Sequence, residues 1–229
     1  MRYTKYDYRK KNKNKVLGMV PFIIIISLGV ILGIIVFKIF FIGNNSIMNI
    51  FNNLDSTKTL SNEESGSISL GTIQCGLFQK KENAESALIK IPSNYSGFIV
   101  EEDGKFKVMA GIYVLDEIED KKNELVKNSI ENFVVKYEFN EDSIDSKVEG
   151  EILSGYLKII NKTFNDEVKS INTAEFKTWV KEVSDKSTNK SEITQNLLER
   201  INSLPDEYQK EKGKEDIIYL YNVVKKYKI

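Results

Sequence analysis

A long apolar run near the amino terminus constrains this chain more than any other feature. Residues 17–42 read LGMVPFIIIISLGVILGIIVFKIFFI, in which only Ser27 and Lys38 have polar side chains. At about 1.5 Å per residue an α-helix of this run is roughly 39 Å long, enough to cross a hydrocarbon core of about 30 Å. A signal peptide has a shorter apolar region and a small-residue cleavage site. The run therefore predicts a single membrane-spanning helix.

The charges on either side of the run predict its orientation. Residues 1–16 form a basic arm in which seven basic residues and one acidic residue give a net charge of +6. The chain has 33 basic and 33 acidic residues in all, so residues 43–229 carry a net charge of −7. Because positive segments stay on the cytoplasmic side, we expect a cell-membrane protein with a cytoplasmic amino terminus and extracytoplasmic carboxy-terminal domains. An acidic exterior region excludes nucleic acid as a partner.

The composition also excludes common catalytic chemistry. The chain has no histidine and one cysteine, Cys75, so it lacks histidine-based nucleophile activation, the usual zinc sites and an internal disulfide. Glycan hydrolysis would need only two carboxylates, but the acidic residues are typical of turns and helix surfaces. We expect no enzyme activity, no catalytic residues, no metal and no cofactor.

Composition divides the remainder of the chain into three parts. Residues 43–67 are polar and predict a linker. Residues 68–140 alternate between strand-like and helical patterns in the order βαββαβ, and residues 141–229 have helical periodicity. The predicted fold class is α+β.

An internal repeat makes the architecture of residues 68–140 more specific. The segments IQCGLF from Ile73 and VMAGIY from Val108 share a pattern at an offset of 35 residues. Two such halves predict a ferredoxin-like, four-stranded antiparallel sheet with both helices on one face and the other face open. Side-chain alternation predicts one set facing the helices: Ile73, Cys75, Phe98, Val100, Phe106 and Val108. It places a second set on the open face: Gln74, Ile99, Lys105, Lys107 and Met109.

Four helices are expected in residues 141–229. An apolar stripe begins at Ile144 and ends at Val168, two shorter helices follow, and Pro205 is placed to start the last helix, which Gly213 would weaken. Their apolar faces must pack on each other, on the sheet or on another chain. Trp179 is expected to pack on one of these faces.

Residues 68–140 resemble the SPOR family, the sporulation-related peptidoglycan-binding domains of bacterial septal and cell-wall proteins. The resemblance rests on Ile73-Gln-Cys-Gly-Leu-Phe78 followed by Asn83-Ala84, and on Gly111-Ile-Tyr113. It implies binding of peptidoglycan glycan strands, particularly strands without stem peptides, on the open sheet face. Gln74 matches the glutamine of the family's first strand, whereas Leu77 replaces a small polar residue and Lys105 replaces an aromatic ring of some members. The candidate glycan-binding residues are Gln74, Leu77, Ile99, Lys105, Lys107 and Met109.

These observations lead to one functional hypothesis and one alternative. The hypothesis is a non-catalytic, single-pass membrane protein that binds glycan strands and is thereby concentrated at the division or sporulation septum. The alternative is a scaffold whose carboxy-terminal helices bind division or sporulation proteins while the sheet face has lost its function.

Overall fold

The computed structural model describes residues 68–140 and 142–229. The predicted basic arm, membrane-spanning helix and linker all lie outside the described residues. In the part of the chain that is described, no helix is both long and apolar enough to cross a membrane.

The described residues form an α+β fold with a four-stranded antiparallel sheet. The strands are β1 (Ser69–Phe78), β2 (Phe98–Glu102), β3 (Lys105–Val114), β4 (Phe133–Glu138), β5 (Ile171–Asn172) and β6 (Glu207–Tyr208). The α-helices are α1 (Lys81–Leu88), α2 (Leu115–Lys127), α3 (Ile144–Thr163), α4 (Ala174–Ser184), α5 (Glu192–Asn202) and α6 (Lys210–Val224), and a 3-10 helix follows at Lys225–Tyr227.

The predicted βαββαβ order is confirmed. The sheet order is β2-β3-β1-β4, with antiparallel pairing throughout, while β5 and β6 form a separate two-stranded ribbon. The pairing of β1 with β3 is irregular, since Gln74 is opposite Met109 but Gly76 is opposite Val108. The extra residue in β1 is Cys75, and it brings Gln74 and Leu77 to the same face although they are three residues apart.

One face of the sheet packs on α1 and α2, as predicted. This first core joins Ile73 and Val108 of the sheet to Ala84 of α1 and to Ile118 and Leu125 of α2. Cys75 and Phe106 are partly buried against it, in agreement with their predicted inward orientation. Burial raises the pKa of the Cys75 thiol to about 11, which keeps the thiol protonated at neutral pH.

The prediction that the other face is open is wrong, because the carboxy-terminal helices cover most of it. A second, larger core contains apolar side chains from the sheet and from all four of these helices. Its sheet members include Leu70, Phe98, Val100, Met109, Ile112 and Tyr137. We call α3–α6 and the 3-10 helix the helical cover.

The predicted orientation of β2 is also wrong. Phe98 and Val100 face the helical cover, whereas Ile99 packs on the side of α1 and α2. The register explains this, because Phe98 is opposite Met109 and Ile99 is opposite Val108. Both faces of the strand are buried, so Phe98, Ile99 and Val100 are all apolar. No polar residue among them indicates which face is turned toward the helical cover.

Helix α3 is attached to the sheet by hydrogen bonds as well as by apolar packing. The Asn161 side chain donates to the carbonyl of Ile112 at 2.8 Å and accepts from the Ser96 hydroxyl at 2.6 Å. The Ser143 hydroxyl accepts from the Ser146 backbone N–H and caps the start of the helix. These bonds satisfy polar groups at the boundary between the two layers.

The last helix begins at Lys210, five residues later than the proline that was expected to start it. The intervening residues include Glu207 and Tyr208, which pair with β5 and are therefore extended. Gly213 lies in the first turns of α6, where a Cβ atom would be 2.9 Å from Thr163 Oγ1. The glycine thus permits close packing of α6 on α3 and does not interrupt the helix.

Candidate functional site

The candidate site is the end of the sheet next to the β2–β3 hairpin. Here β1 ends, β3 and β4 begin, and the face turned toward the helical cover retains exposed side chains. Leu77 is 50% exposed and Phe133 is 53% exposed. Among the large apolar side chains exposed in residues 68–140 and 142–229, these are the two on strands of the main sheet. We call this region the exposed sheet end and define it by Leu77, Lys105, Lys107 and Phe133.

Strand register brings these four residues to one face. Leu77 is opposite Lys107 in the β1–β3 pair, and Phe133 is opposite Gln74 in the β1–β4 pair. Lys105 is two residues before Lys107 and so points to the same side. Leu77 and Lys107 are directly opposed, and such side chains in an antiparallel pair have Cβ atoms about 4.5–5.5 Å apart, while Phe133 lies across from Gln74 on the same face.

Three of the six predicted site residues do not offer a free surface. Met109 is 1% exposed and is part of the core under the helical cover. Ile99 faces α1 and α2. Gln74 is 6% exposed, and its side-chain amide lies 3.4 Å from the carbonyl of Gly76. Leu77, Lys105 and Lys107 are the predicted residues that the structure brings together on an accessible surface.

Sequence reasoning missed Phe133. The ring lies on the strand next to Gln74 and provides an exposed aromatic surface on the same face. Phe133, Val135 and Tyr137 alternate along β4, which indicates that they share a face. Only the β1–β4 register shows that this is the face of Gln74.

The charges of the exposed sheet end are partly paired. The Lys107 ammonium donates to Glu102 Oε2 at 2.5 Å, and the Lys225 ammonium lies 3.5 Å from Glu102 Oε1. Partial burial raises the pKa of Glu102, but the hydrogen bond and positive charge of Lys107 and the charge of Lys225 outweigh this effect. The net result is a pKa below the ordinary value of 4.5.

The buried carboxylates elsewhere in the fold are occupied by structural contacts. Asp216 accepts from the hydroxyls of Tyr156 and Tyr208, each at 2.7 Å, and from Arg200 Nε at 2.8 Å. Glu149 accepts from Ser191, Thr194 and Tyr227. In the described part of the chain, no group of three or more cysteine or acidic side chains is arranged to hold a metal ion.

Comparison with solved structures finds a similarity to one domain. The chain matches the solution structure of the peptidoglycan binding domain of the B. subtilis cell wall lytic enzyme CwlC, at 22% sequence identity and a TM-score of 0.28. The match covers 34% of this chain and 98% of that domain. No protein-family model matches the chain. No curated protein matches it.

The predicted role of Trp179 as a packing residue agrees with its surroundings. Its ring stacks on Phe176 with centroids 6.1 Å apart, and a Cβ atom at Gly155 would be 2.5 Å from its ring. The side chain thus fills the space between α3 and α4 and is not part of the exposed sheet end.

Proposed function

We propose that this protein is a non-catalytic binder of peptidoglycan glycan strands and that it binds them at the exposed sheet end. The single observation that carries the proposal is the pair of half-exposed apolar side chains, Leu77 and Phe133, on the same sheet face as Gln74. Sugar rings have apolar faces that pack on such side chains, and exposed apolar groups on an otherwise covered face are typical of binding surfaces. The SPOR-like motif around Gln74 supports the choice of ligand.

The proposed binding surface is smaller than the whole open sheet face that the sequence alone suggested. The helical cover leaves no room for a strand across the middle of the sheet, where Met109 is buried. The glycan therefore contacts Leu77 and Phe133, with Lys105 and Lys107 beside them. Gln74 supports these side chains from β1, the strand that lies between β3 and β4.

Binding of the glycan would localise the protein. The predicted membrane anchor, with the sheet on the extracytoplasmic side, is compatible with retention at the division or sporulation septum, where glycan strands without stem peptides are exposed. We propose a single-pass topology with a cytoplasmic amino terminus on the basis of the charge asymmetry of the sequence.

Co-sedimentation of the full-length protein with peptidoglycan tests the proposal. Peptidoglycan before and after amidase removal of stem peptides is used, and we expect pelleting with the treated sample. Phe133→Ser and Leu77→Ser should each reduce pelleting, whereas the matched control Ile89→Ser, at an 84% exposed position beyond α1, should not. Absence of pelleting with both samples would refute glycan binding.

A second candidate function is a scaffold that acts through the helical cover. The observation that favours it is that the helical cover buries most of one sheet face. A sheet covered in this way would not bind a ligand along its whole length. A groove of about 470 Å³ between α4 and α5, lined in part by Lys177, Lys181 and Lys190, is available for a protein partner. Septal enrichment that persists in the double variant Leu77→Ser/Phe133→Ser but is lost in Lys181→Glu would favour this function.

A further inference from the structure

The two lysines of the exposed sheet end have different environments, although the sequence places them in equivalent positions. Lys107 is 25% exposed and its ammonium is held by Glu102. Lys105 is exposed, and within the described residues it forms no ion pair. The difference is unexpected, because Glu102 is directly opposite Lys105 in the β2–β3 register.

Contacts with the helical cover explain why Glu102 bonds to the more distant lysine. Lys225, at the start of the 3-10 helix, lies 3.5 Å from Glu102 Oε1 and 5.9 Å from the centroid of the Tyr221 ring. Tyr221 in turn packs on Phe98 of the same strand as Glu102. These contacts hold the carboxylate toward Lys107, and Lys105 lies two residues nearer the β2–β3 turn on the same face.

The charge of Glu102 is therefore shared between Lys107 and Lys225. An ammonium that is already hydrogen-bonded to a carboxylate at 2.5 Å must give up that bond to contact a ligand. Lys105 would break no such hydrogen bond on contacting a ligand, and its long side chain can reach over Leu77 on the neighbouring strand. Residues 43–229 carry a net charge of −7, so an anionic ligand depends on a local cation for attraction.

We infer that Lys105 contacts a carboxylate of the bound glycan, and that Glu102 and Lys225 are positioning residues that hold Lys107 beside the sheet. The inference rests on the proposed function. Amidase cleavage of the amide bond between sugar and stem peptide leaves a free carboxylate on the sugar. A strand bound across Leu77 and Phe133 would present such a group to Lys105.

Chemical neutralisation of the glycan carboxylates tests this assignment. Amidase-treated peptidoglycan is coupled with methylamine through a carbodiimide, which converts carboxylates to neutral amides, and the full-length protein is sedimented with coupled and uncoupled samples. We expect the wild type to bind the coupled sample roughly fivefold more weakly, the effect of one exposed charge pair. Lys105→Met should bind both samples equally and at the weaker level.

Two further variants separate contact from positioning. Lys136→Met removes an exposed lysine from the opposite face of the same sheet and should bind both samples as the wild type does. Lys225→Met removes a contact that holds Glu102 toward Lys107 and lets the carboxylate pair with Lys105, so it should reduce the wild-type difference between the two samples.

The outcomes distinguish this inference from the proposed function. Wild-type pelleting that is equal for coupled and uncoupled samples would overturn the role of Lys105 while glycan binding stands. Loss of the difference in Lys107→Met but not in Lys105→Met would also overturn it. Absence of wild-type pelleting with either sample would refute the proposed function itself.

Discussion

Phe98 of β2 and Tyr221 of α6 meet edge to face, with ring centroids 5.6 Å apart and an angle of 63° between the ring planes. This contact joins the second strand to the last helix of the chain. It lies on the sheet face that the predicted βαββαβ architecture leaves open, although alternation predicts that Phe98 faces the opposite side. The sheet and the helical cover therefore share one apolar core.

The shared core predicts that residues 68–140 do not fold stably alone. Without the helical cover, Leu70, Phe98, Met109, Ile112 and Tyr137 would be exposed to water, and each large apolar side chain contributes about 1.5–3 kcal/mol when buried. The fragment should bind a hydrophobic dye and lack a cooperative thermal transition, as circular dichroism can measure. Residues 68–229 are the control and should melt cooperatively. A sharp melt without dye binding by the shorter fragment would show that the two parts are independent.

The buried network around Asp216 predicts a large effect of a small substitution. Asp216→Asn removes the charge that faces Arg200 and places an amide donor where two tyrosine hydroxyls and the guanidinium donate. We expect the free energy of unfolding to fall by about 2–4 kcal/mol, as for other broken buried pairs. Urea denaturation of the full-length protein measures this change.

Asp206→Asn is the matched control for Asp216→Asn. The Asp206 side chain is largely exposed and lies 3.9 Å from Lys177, so its replacement should have little effect on the urea midpoint. Equal midpoints for the two variants would mean that the network around Asp216 does not stabilise the fold.

Backbone conformation at Gly111 predicts that even alanine is poorly tolerated there. Gly111 has a φ of +132°, and a Cβ atom would be 2.6 Å from both Ser96 Oγ and the Tyr113 hydroxyl. We expect Gly111→Ala to lower the free energy of unfolding by about 2 kcal/mol or more. Gly104→Ala, at φ +68° in the β2–β3 turn with no atom within 4 Å, should cost about 1 kcal/mol. Equal losses in denaturation experiments would contradict the predicted steric conflict.

The lowered pKa of Glu102 predicts a pH-dependent contribution to stability. A carboxyl group whose pKa is lower in the folded than in the unfolded protein stabilises the fold above the unfolded value, here 4.5. This contribution is lost as the pH falls through the folded pKa. The wild type should therefore melt at a higher temperature than Glu102→Gln at pH 7, and the difference should shrink below pH 4.5.

Glu101→Gln controls for the loss of one negative charge in the same strand, since Glu101 is exposed and opposite Phe106 on the other face. Melting curves of both variants between pH 3 and pH 7, relative to the wild type, provide the comparison. A constant difference between the wild type and Glu102→Gln across this range would exclude the predicted linkage.

Much of the fold was predictable because it depends on local sequence patterns. The βαββαβ order follows from the doubled motif around Gly76 and Gly111, and the helices of residues 141–229 follow from apolar periodicity. The orientation of β2 was not predictable in this way. Phe98, Ile99 and Val100 are all apolar, and only the register with Met109 and Val108 decides which of them faces the helical cover.

The candidate site was predicted less well than the fold. Lys105, Lys107 and Leu77 were identified from alternation and resemblance, and they lie together on an accessible surface. Phe133 was missed because its neighbourhood depends on pairing between β1 and β4, which are far apart in sequence. Met109 was included because nothing near it in the sequence indicates that distant helices cover it.

The sequence by itself determined the order of the elements, the packing of α1 and α2 on one sheet face, and the absence of histidine chemistry. These properties depend on residue type and on spacing over a few turns or strands. Only the tertiary structure decided that the second face is covered, that Glu102 bonds to Lys107 and leaves Lys105 unpaired, and that Phe133 borders the site. These properties depend on contacts between residues up to more than a hundred positions apart, such as Phe98 and Tyr221, and local sequence patterns do not encode such contacts.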